Sequence, residues 1–301
     1  MDVDTRHLRA LVAVVEEGTF TDAAIRLGTS HASVSRSIQR LEATVGHRLL
    51  ARSSRHVETT TAGEQVLVHA RRILTQLAQL EASAGSHGGD LLVGYAWAAL
   101  GEHTVTVQRQ WAASHSGQLV FVQSNTPSAG LLEGRCEVSV VRREVTDPRL
   151  DTARVGEERR YAVVATDHHL AGRAVVQLAD FLDDTVAIDL DSGTTTKDLW
   201  RPDRRPAGFR MTHGIDEWLT LIASGQAIGI SSEATRAQHP RAGIAFRLLK
   251  DAPPISVWLA WWRDDPPPAL QALIDGSREA YGPRRPGTDQ TTPPSTPERA
   301  G

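Results

Sequence analysis

Apolar residues recur at helical spacing along the first 84 positions. Leu8, Leu11, Val12 and Val15 fall at i, i+3, i+4 and i+7, the stripe of an amphipathic helix, and Gly18 ends it. Thr21 is placed to cap a second, short helix carrying Ala23, Ala24 and Leu27. Gly28 breaks the chain, Ser30 caps a third helix, and Val34, Ile38, Leu41 and Val45 share one face of it. A short helix, a tight turn containing Gly and a longer helix predict a helix-turn-helix. Residues 48–52 and 56–60 predict two short strands, a wing closing an N-terminal domain over 1–60. Thr61-Ala-Gly-Glu64 matches a capping box, so a linker helix is expected over 61–85. In it Val66, Ala70, Ile73, Leu77 and Leu80 step by four and three, the pattern of an a/d seam between two helices, which predicts a homodimer.

The stretch SAGSHGGD then breaks the pattern, and from Leu91 the texture changes. LLVGYA, LVFVQS, EVSVVR, YAVVAT, TVAIDL, IGIS and ISVWLAWW read as buried strands. Helical candidates lie between them, at residues 101–114, 196–200 and 215–224. Alternation of this kind predicts an α/β domain with mostly parallel sheets. The last 19 residues, 283–301, hold five prolines and no apolar periodicity, and are expected to be disordered.

Charge sharpens this picture. The net charge of −3 is uninformative, because a whole-chain sum hides local patches. Residues 26–56 carry six arginines and a single acid, Glu42. Six of the seven lie on or beside the third helix and the wing. A lone cysteine, Cys136, excludes an intrachain disulfide framework. No apolar run reaches the roughly 18 residues needed to span a bilayer, and no signal peptide is visible. A cytoplasmic protein without membrane contact is expected.

The third helix has the chemistry of a recognition helix. Its first turns carry Ser30, His31, Ala32, Ser33 and Ser35, short side chains that let a helix approach base edges in the major groove. Its N-terminus offers free N–H groups to phosphate. With Val34, Ile38 and Leu41 facing inward, Ser33, Arg36, Ser37 and Arg40 fall outside. Arg36 is placed to reach a guanine edge or a phosphate, and Arg40 is a further DNA-contact candidate on the same face. Arg52, Ser53 and Arg55 fall at the wing and are expected to grip the backbone or minor groove of double-stranded DNA. The bland alternative is that Ser30 only caps and the arginines are only solvated.

The run from Leu8 to Leu74, LRALVAVVEEGTFTDAAIRLGTSHASVSRSIQRLEATVGHRLLARSSRHVETTTAGEQVLVHARRIL, resembles the N-terminal region of the LysR-type transcriptional regulators without a gap. That family usually has Gln-Pro or a similar pair where this chain has His31-Ala32. LLVGYAW, LLEGRCEVSVV, YAVVATDHHLAGR, LTLIASGQAIGIS and VWLAWWRDD resemble segments of the family's effector domain. The resemblance implies a periplasmic-binding-protein-like α/β domain of two lobes. The first lobe is expected over 90–162 plus 265–282, the second over 163–264. It also implies a homodimer or homotetramer and control by a small-molecule effector.

In open α/β sheets ligands bind beyond the C-terminal strand ends. That rule selects Trp97, Ala98, Ser124, Thr126, Ser192, Thr194, Thr195, Gly214, Ile215 and Ser231 as candidate effector contacts. Ser192-Gly-Thr-Thr-Thr196 has hydroxyls and backbone N–H groups suited to an anion, and equally suits a turn and a helix cap. Trp97 is either a stacking surface for an apolar ligand or a core residue. No nucleophile elbow, HExxH, CxxC, P-loop or dinucleotide fingerprint appears, so no enzyme, metal or cofactor is expected. Two rivals to an effector-controlled regulator stay open at this point: a nonspecific basic DNA binder, and a small-molecule sensor without a DNA role.

Overall fold

The computed structural model describes residues 3–52, 57–84 and 89–282. The expected disordered tail and the wing residues Ser53 and Arg55 lie outside the described residues.

Helices α1 (Thr5–Glu17), α2 (Phe20–Arg26) and α3 (His31–Val45) pack around Leu8, Leu11, Val14, Ala23, Val34, Ile38 and Leu41, all buried. Gly18 ends α1 at φ 73°, a left-handed turn that glycine adopts at little cost. The cap of α2 is Thr19, not Thr21: its hydroxyl accepts from the Asp22 N–H at 3.1 Å and donates to the Asp22 carboxylate at 2.6 Å. Ser30 caps α3 as expected, accepting from the Ser33 N–H.

The wing is the antiparallel pair β1 (Leu50–Arg52) and β2 (Val57–Thr59). Glu42, the one acid of the basic stretch, fastens it: its carboxylate accepts from the N–H groups of Leu49 and Leu50.

The linker helix α4 (Thr61–Ala84) starts one residue earlier in its capping than the sequence suggests. Thr60, not Thr61, accepts from the Gly63 N–H at 2.9 Å, and Glu64 closes no reciprocal bond among the described residues.

The C-terminal region forms two sheets. The first has the order β4-β3-β5-β13-β6, from β3 (Leu91–Tyr95), β4 (Leu119–Gln123), β5 (Val138–Val141), β6 (Leu150–Glu158) and β13 (Ile255–Trp262). Helices α5 (Thr104–Ser114) and α8 (Leu270–Tyr281) cover it. The second has the order β10-β9-β11-β7-β12-β8. Its strands are β7 (Arg160–Ala165), β8 (Val175–Val176), β9 (Thr185–Asp189), β10 (Gly208–Thr212), β11 (Ile228–Ser232) and β12 (Ile244–Leu249), with α6 (Ile215–Ala223) and α7 (Glu233–Gln238).

Three expectations change here. The chain crosses between sheets at Glu158–Arg160 and returns before Ile255, so β7 belongs wholly to the second lobe and β13 to the first. The returning strand pairs with β5 and, across a register shift at Val257–Trp258, with β6, which places it ahead of the expected boundary at 265. The sheets are also mixed, not mostly parallel. β13 runs antiparallel to β5 and β6, and β7 antiparallel to β11 and β12, because each enters its sheet from the other lobe. The candidate helix at 196–200 is a single 3₁₀ turn, Lys197–Leu199.

Candidate DNA-reading face and effector cleft

Packing decides which side of α3 is free. Val34, Ile38 and Leu41 are no more than 1% exposed, which leaves His31, Ala32, Arg36 and Arg40 exposed and Ser33, Ser35 and Ser37 half-buried. Exposed Ser30 sits at the tip. The His31 ring lies 5.7 Å from that of Phe20 in α2, so the helix tip is braced against its neighbour. The guanidinium groups of Arg36 and Arg40 make no hydrogen bond or ion pair to any described residue. Arg26 behaves oppositely, held by Glu16 and Glu17 at 2.7 and 3.1 Å. The backbone of Arg52 pairs with Val57 in the wing.

The seam read along α4 divides in two. Ala70 is fully buried and Val66 partly so, both against the core of the winged domain in the same chain. Ile73 and Leu80 stay 48% and 67% exposed, and Leu77 is half-buried. The opposite face of α4 rests on the first lobe through Val68, and through Arg72, whose guanidinium lies 4.4 Å from the Trp262 ring and 3.1 Å from Asp265. A purely intermolecular seam over three heptads is therefore not what forms: its first turns complete the chain's own core.

Between the lobes lies a cleft. Of the predicted contacts, Trp97, Ala98, Thr126, Ser192, Thr194, Thr195 and Ser231 line it. Ser124, Gly214 and Ile215 do not. Ser124 is buried with its N–H on Tyr95, the Gly214 N–H donates to the Asp189 carboxylate at 2.5 Å, and Ile215 sits in the core under α6. The cleft also takes Arg142, Arg143, Asp189, Trp218 and Thr235, which sequence reasoning missed. Arg142 and Arg143 follow β5 directly, so the strand-end rule applied to that strand would have found them.

Most hydroxyls in the cleft are already engaged. Thr195 donates to the Ile230 carbonyl, Ser231 pairs with Thr235 at 2.7 Å, and Ser192 donates to Asp189 and Asn125. Three groups remain unused. Trp97 Nε1 is buried without a partner, and its ring packs 5.1 Å from Trp218. The Thr194 hydroxyl and the exposed Arg143 guanidinium bond to no described residue. Behind the Ser192–Thr196 loop, Arg160 is 9% exposed and donates only to the carbonyls of Pro253 and Thr194. Burial pushes its pKa down to about 10, so it stays charged at neutral pH with no carboxylate beside it. The unused donors and the unpaired cation all favour an anion.

An enclosed ion pair braces the first lobe beside the crossover, and a polar clasp spans the mouth of the cleft. Arg142 donates to both Glu158 carboxylate oxygens, at 2.9 and 2.7 Å, and to the carbonyls of Ala98 and Ala99; Tyr281 donates to the same carboxylate. Burial alone would raise the Glu158 carboxyl, but the Arg142 charge and its hydrogen bonds outweigh that and hold it below its ordinary 4.5. Across the mouth, Asn125 of the first lobe donates to Asp191 at 3.1 Å and accepts from Ser192.

A family profile described as "LysR substrate binding domain" matches residues 93–282, almost two-thirds of the chain. One described as "Bacterial regulatory helix-turn-helix protein, lysR family" matches residues 5–64. The chain belongs to the LysR family of bacterial transcriptional regulators.

This LysR-type regulator is similar to the HTH-type transcriptional regulator ShiR of Corynebacterium glutamicum, 27% identical over 296 residues, 93% of this chain and 100% of the relative. It is 32% identical over 269 residues to the small neutral protease regulatory protein of Streptomyces coelicolor, covering 80% and 77% of the two chains. Its fold matches that of the LysR family regulator CbnR with a TM-score of 0.72 at 23% identity, over 93% of this chain and all of the other. As a member of that family it pairs a DNA-binding helix-turn-helix with an effector-binding domain. No cluster of potential metal ligands occurs among the described residues, and none of their helices is long and apolar enough to cross a membrane.

Proposed function

We propose that α3 is the helix that reads DNA in this regulator, and that the cleft between the lobes takes a small anion with a flat apolar body. The observation that carries the first reading is the pair Arg36 and Arg40: exposed, unpaired, and one turn apart on the face opposite Val34, Ile38 and Leu41. Two free cations beside short serines suit bidentate contact with guanine or phosphate. By their place in the sequence, Arg52, Ser53 and Arg55 of the wing are the further candidates for contact with the DNA backbone. The second reading rests on Trp97, Thr194, Arg143 and Arg160.

The protein acts as a homodimer, its α4 helices meeting through Ile73, Leu77 and Leu80, the apolar positions left over from intrachain packing. Two recognition helices then meet half-sites about one helical turn apart.

Titration against the DNA upstream of its own gene, beside a scrambled control at two salt concentrations, tests this. Sequence-specific reading gives tighter binding to the upstream DNA that persists at the higher salt. Equal binding to both, collapsing with salt, is the signature of phosphate contact alone and would defeat the reading of α3 for that site.

A further inference from the structure

Arg71 is the one arginine of α4 that is almost fully enclosed, 7% exposed. Its guanidinium touches three parts of the chain at once. It is carried on α4, donates to a Glu16 carboxylate oxygen of α1 at 3.1 Å, and donates to the Glu133 carbonyl of the first lobe at 3.0 Å.

Both partners lead onward. The other Glu16 oxygen accepts from Arg26 of α2 at 2.7 Å, so this side ends on the first helix of the helix-turn-helix. On the other side the Glu133 carboxylate accepts from Ser128 at 2.7 Å. Ser128 also accepts from the Leu132 N–H. Its neighbours Thr126, Pro127 and Ala129 line the effector cleft.

The segment from Thr126 to Glu133 is thus one short turn with an end in each place. It has little room to slip. A Cβ on Gly94 would come within 2.0 Å of the Ala129 carbonyl, and one on Gly134 within 2.7 Å of the Val68 carbonyl of α4. The contact is also incompletely satisfied. Arg71 Nε is buried without a partner, and burial and the like charge of Arg135 both weigh against the guanidinium. A group that is enclosed, central and imperfectly bonded is suited to having two arrangements.

We propose that Arg71 is the positioning residue through which the effector cleft and the helix-turn-helix of one chain act on each other, by way of Ser128–Glu133 on one side and Glu16–Arg26 on the other. This rests on the cleft being the effector site. A ligand that shifts the 126–129 turn moves the Glu133 carbonyl and so changes which of its two partners Arg71 holds. By linkage, a change at α1 returns to the cleft with the same free energy.

The test needs neither DNA nor effector. Ser128→Ala cuts the tie to Glu133 from the cleft side, and amide hydrogen exchange of α1 and α2 is followed by mass spectrometry in the full chain. In the wild-type background the substitution is expected to change exchange over residues 5–26 by about twofold or more, the lower end of coupling within one bonded network. In Arg71→Met the same substitution leaves those amides unmoved. Arg71→Lys keeps a charge but cannot span both partners, and Glu16→Gln weakens the far side alone. Both are expected to shrink the transmitted effect, and they decide the matter if Arg71→Met does not fold. An equal response in every background, or none at α1 and α2 in the wild type, overturns the proposal. Because the exchange readout uses no ligand, failure here is distinguishable from failure of the cleft as the effector site, which ligand titration against cleft variants reads separately.

Discussion

The buried Arg142–Glu158 pair shows how much one residue can matter here. Removing one partner of an enclosed ion pair leaves the other charged and desolvated. Arg142→Leu is expected to destabilise the fold by about 3–5 kcal/mol, read from the denaturant midpoint. Because the folded Glu158 carboxyl lies below 4.5, the pair contributes fully above that value. Its contribution is lost as pH falls through the folded pKa. Acid titration of unfolding should therefore be steeper in the wild type than in Glu158→Gln. His213 behaves with the opposite sign. The hydrogen bond and charge of Asp191, 3.1 Å away, raise it above 6.5, so its contribution is present below that value and fades as pH rises through the raised one. Asp191→Asn should return the His213 midpoint toward 6.5 in a histidine NMR titration. At the DNA-reading face, Arg36→Ala is expected to weaken specific binding by about 1–3 kcal/mol if the side chain reads a base. A uniform loss on every sequence would assign it to phosphate instead.

At the scale of elements, α4 shows where sequence reasoning ran out. Its periodicity was legible, and with it the helix, but periodicity does not say what the stripe faces. Val66 and Ala70 went into the chain's own core, leaving Ile73 and Leu80 exposed. The interface prediction narrows accordingly. Ile73→Asp or Leu80→Asp should yield monomers by light scattering with the fold retained, whereas Ala70→Asp should unfold the winged domain. The helix-turn-helix was readable because its contacts are local: Ser30, Gly18 and the Val34–Ile38–Leu41 face act within a few residues. The strands missed were those whose pattern is diluted. β6 carries Asp151, Arg154 and Glu157 among its few apolar residues, with Thr152, Arg154 and Glu157 exposed, and β10 is a largely exposed edge. The cleft was legible where strand ends carry small polar residues. It was not legible at Asn125, whose importance comes from partners 66 and 67 positions away.

At the scale of the whole molecule, the two lobes are held on both sides of the cleft. On one side α7 of the second lobe bonds the first lobe: Gln238 accepts from the Ala99 N–H and donates to the Gly101 carbonyl, and His239 meets the Trp97 carbonyl at 2.7 Å. On the other side the clasp is Asn125 with Asp191 and Ser192, all at the mouth. The cleft spans about 620 Å³ counted out to solvent, but only about 40 Å³ is free at its centre. That is room for a water or two, whereas ligand sites commonly run to hundreds of Å³. The arrangement described is a closed one, and a ligand larger than this space must separate the lobes or displace Trp97 to enter. Only a ligand that binds one arrangement better than the other can shift the balance between them. The mouth clasp is the side built to release, because its hydrogen bonds are exposed while those of Gln238 and His239 are part-buried. Asn125→Ala should then open the mouth alone. Amides of residues 191–194 would exchange faster than in the wild type, and those of α7 would stay unchanged. Faster exchange on both sides would mean that the lobes separate as whole bodies, with no hinge at α7. Unchanged exchange on both would show that the clasp does not hold the cleft shut.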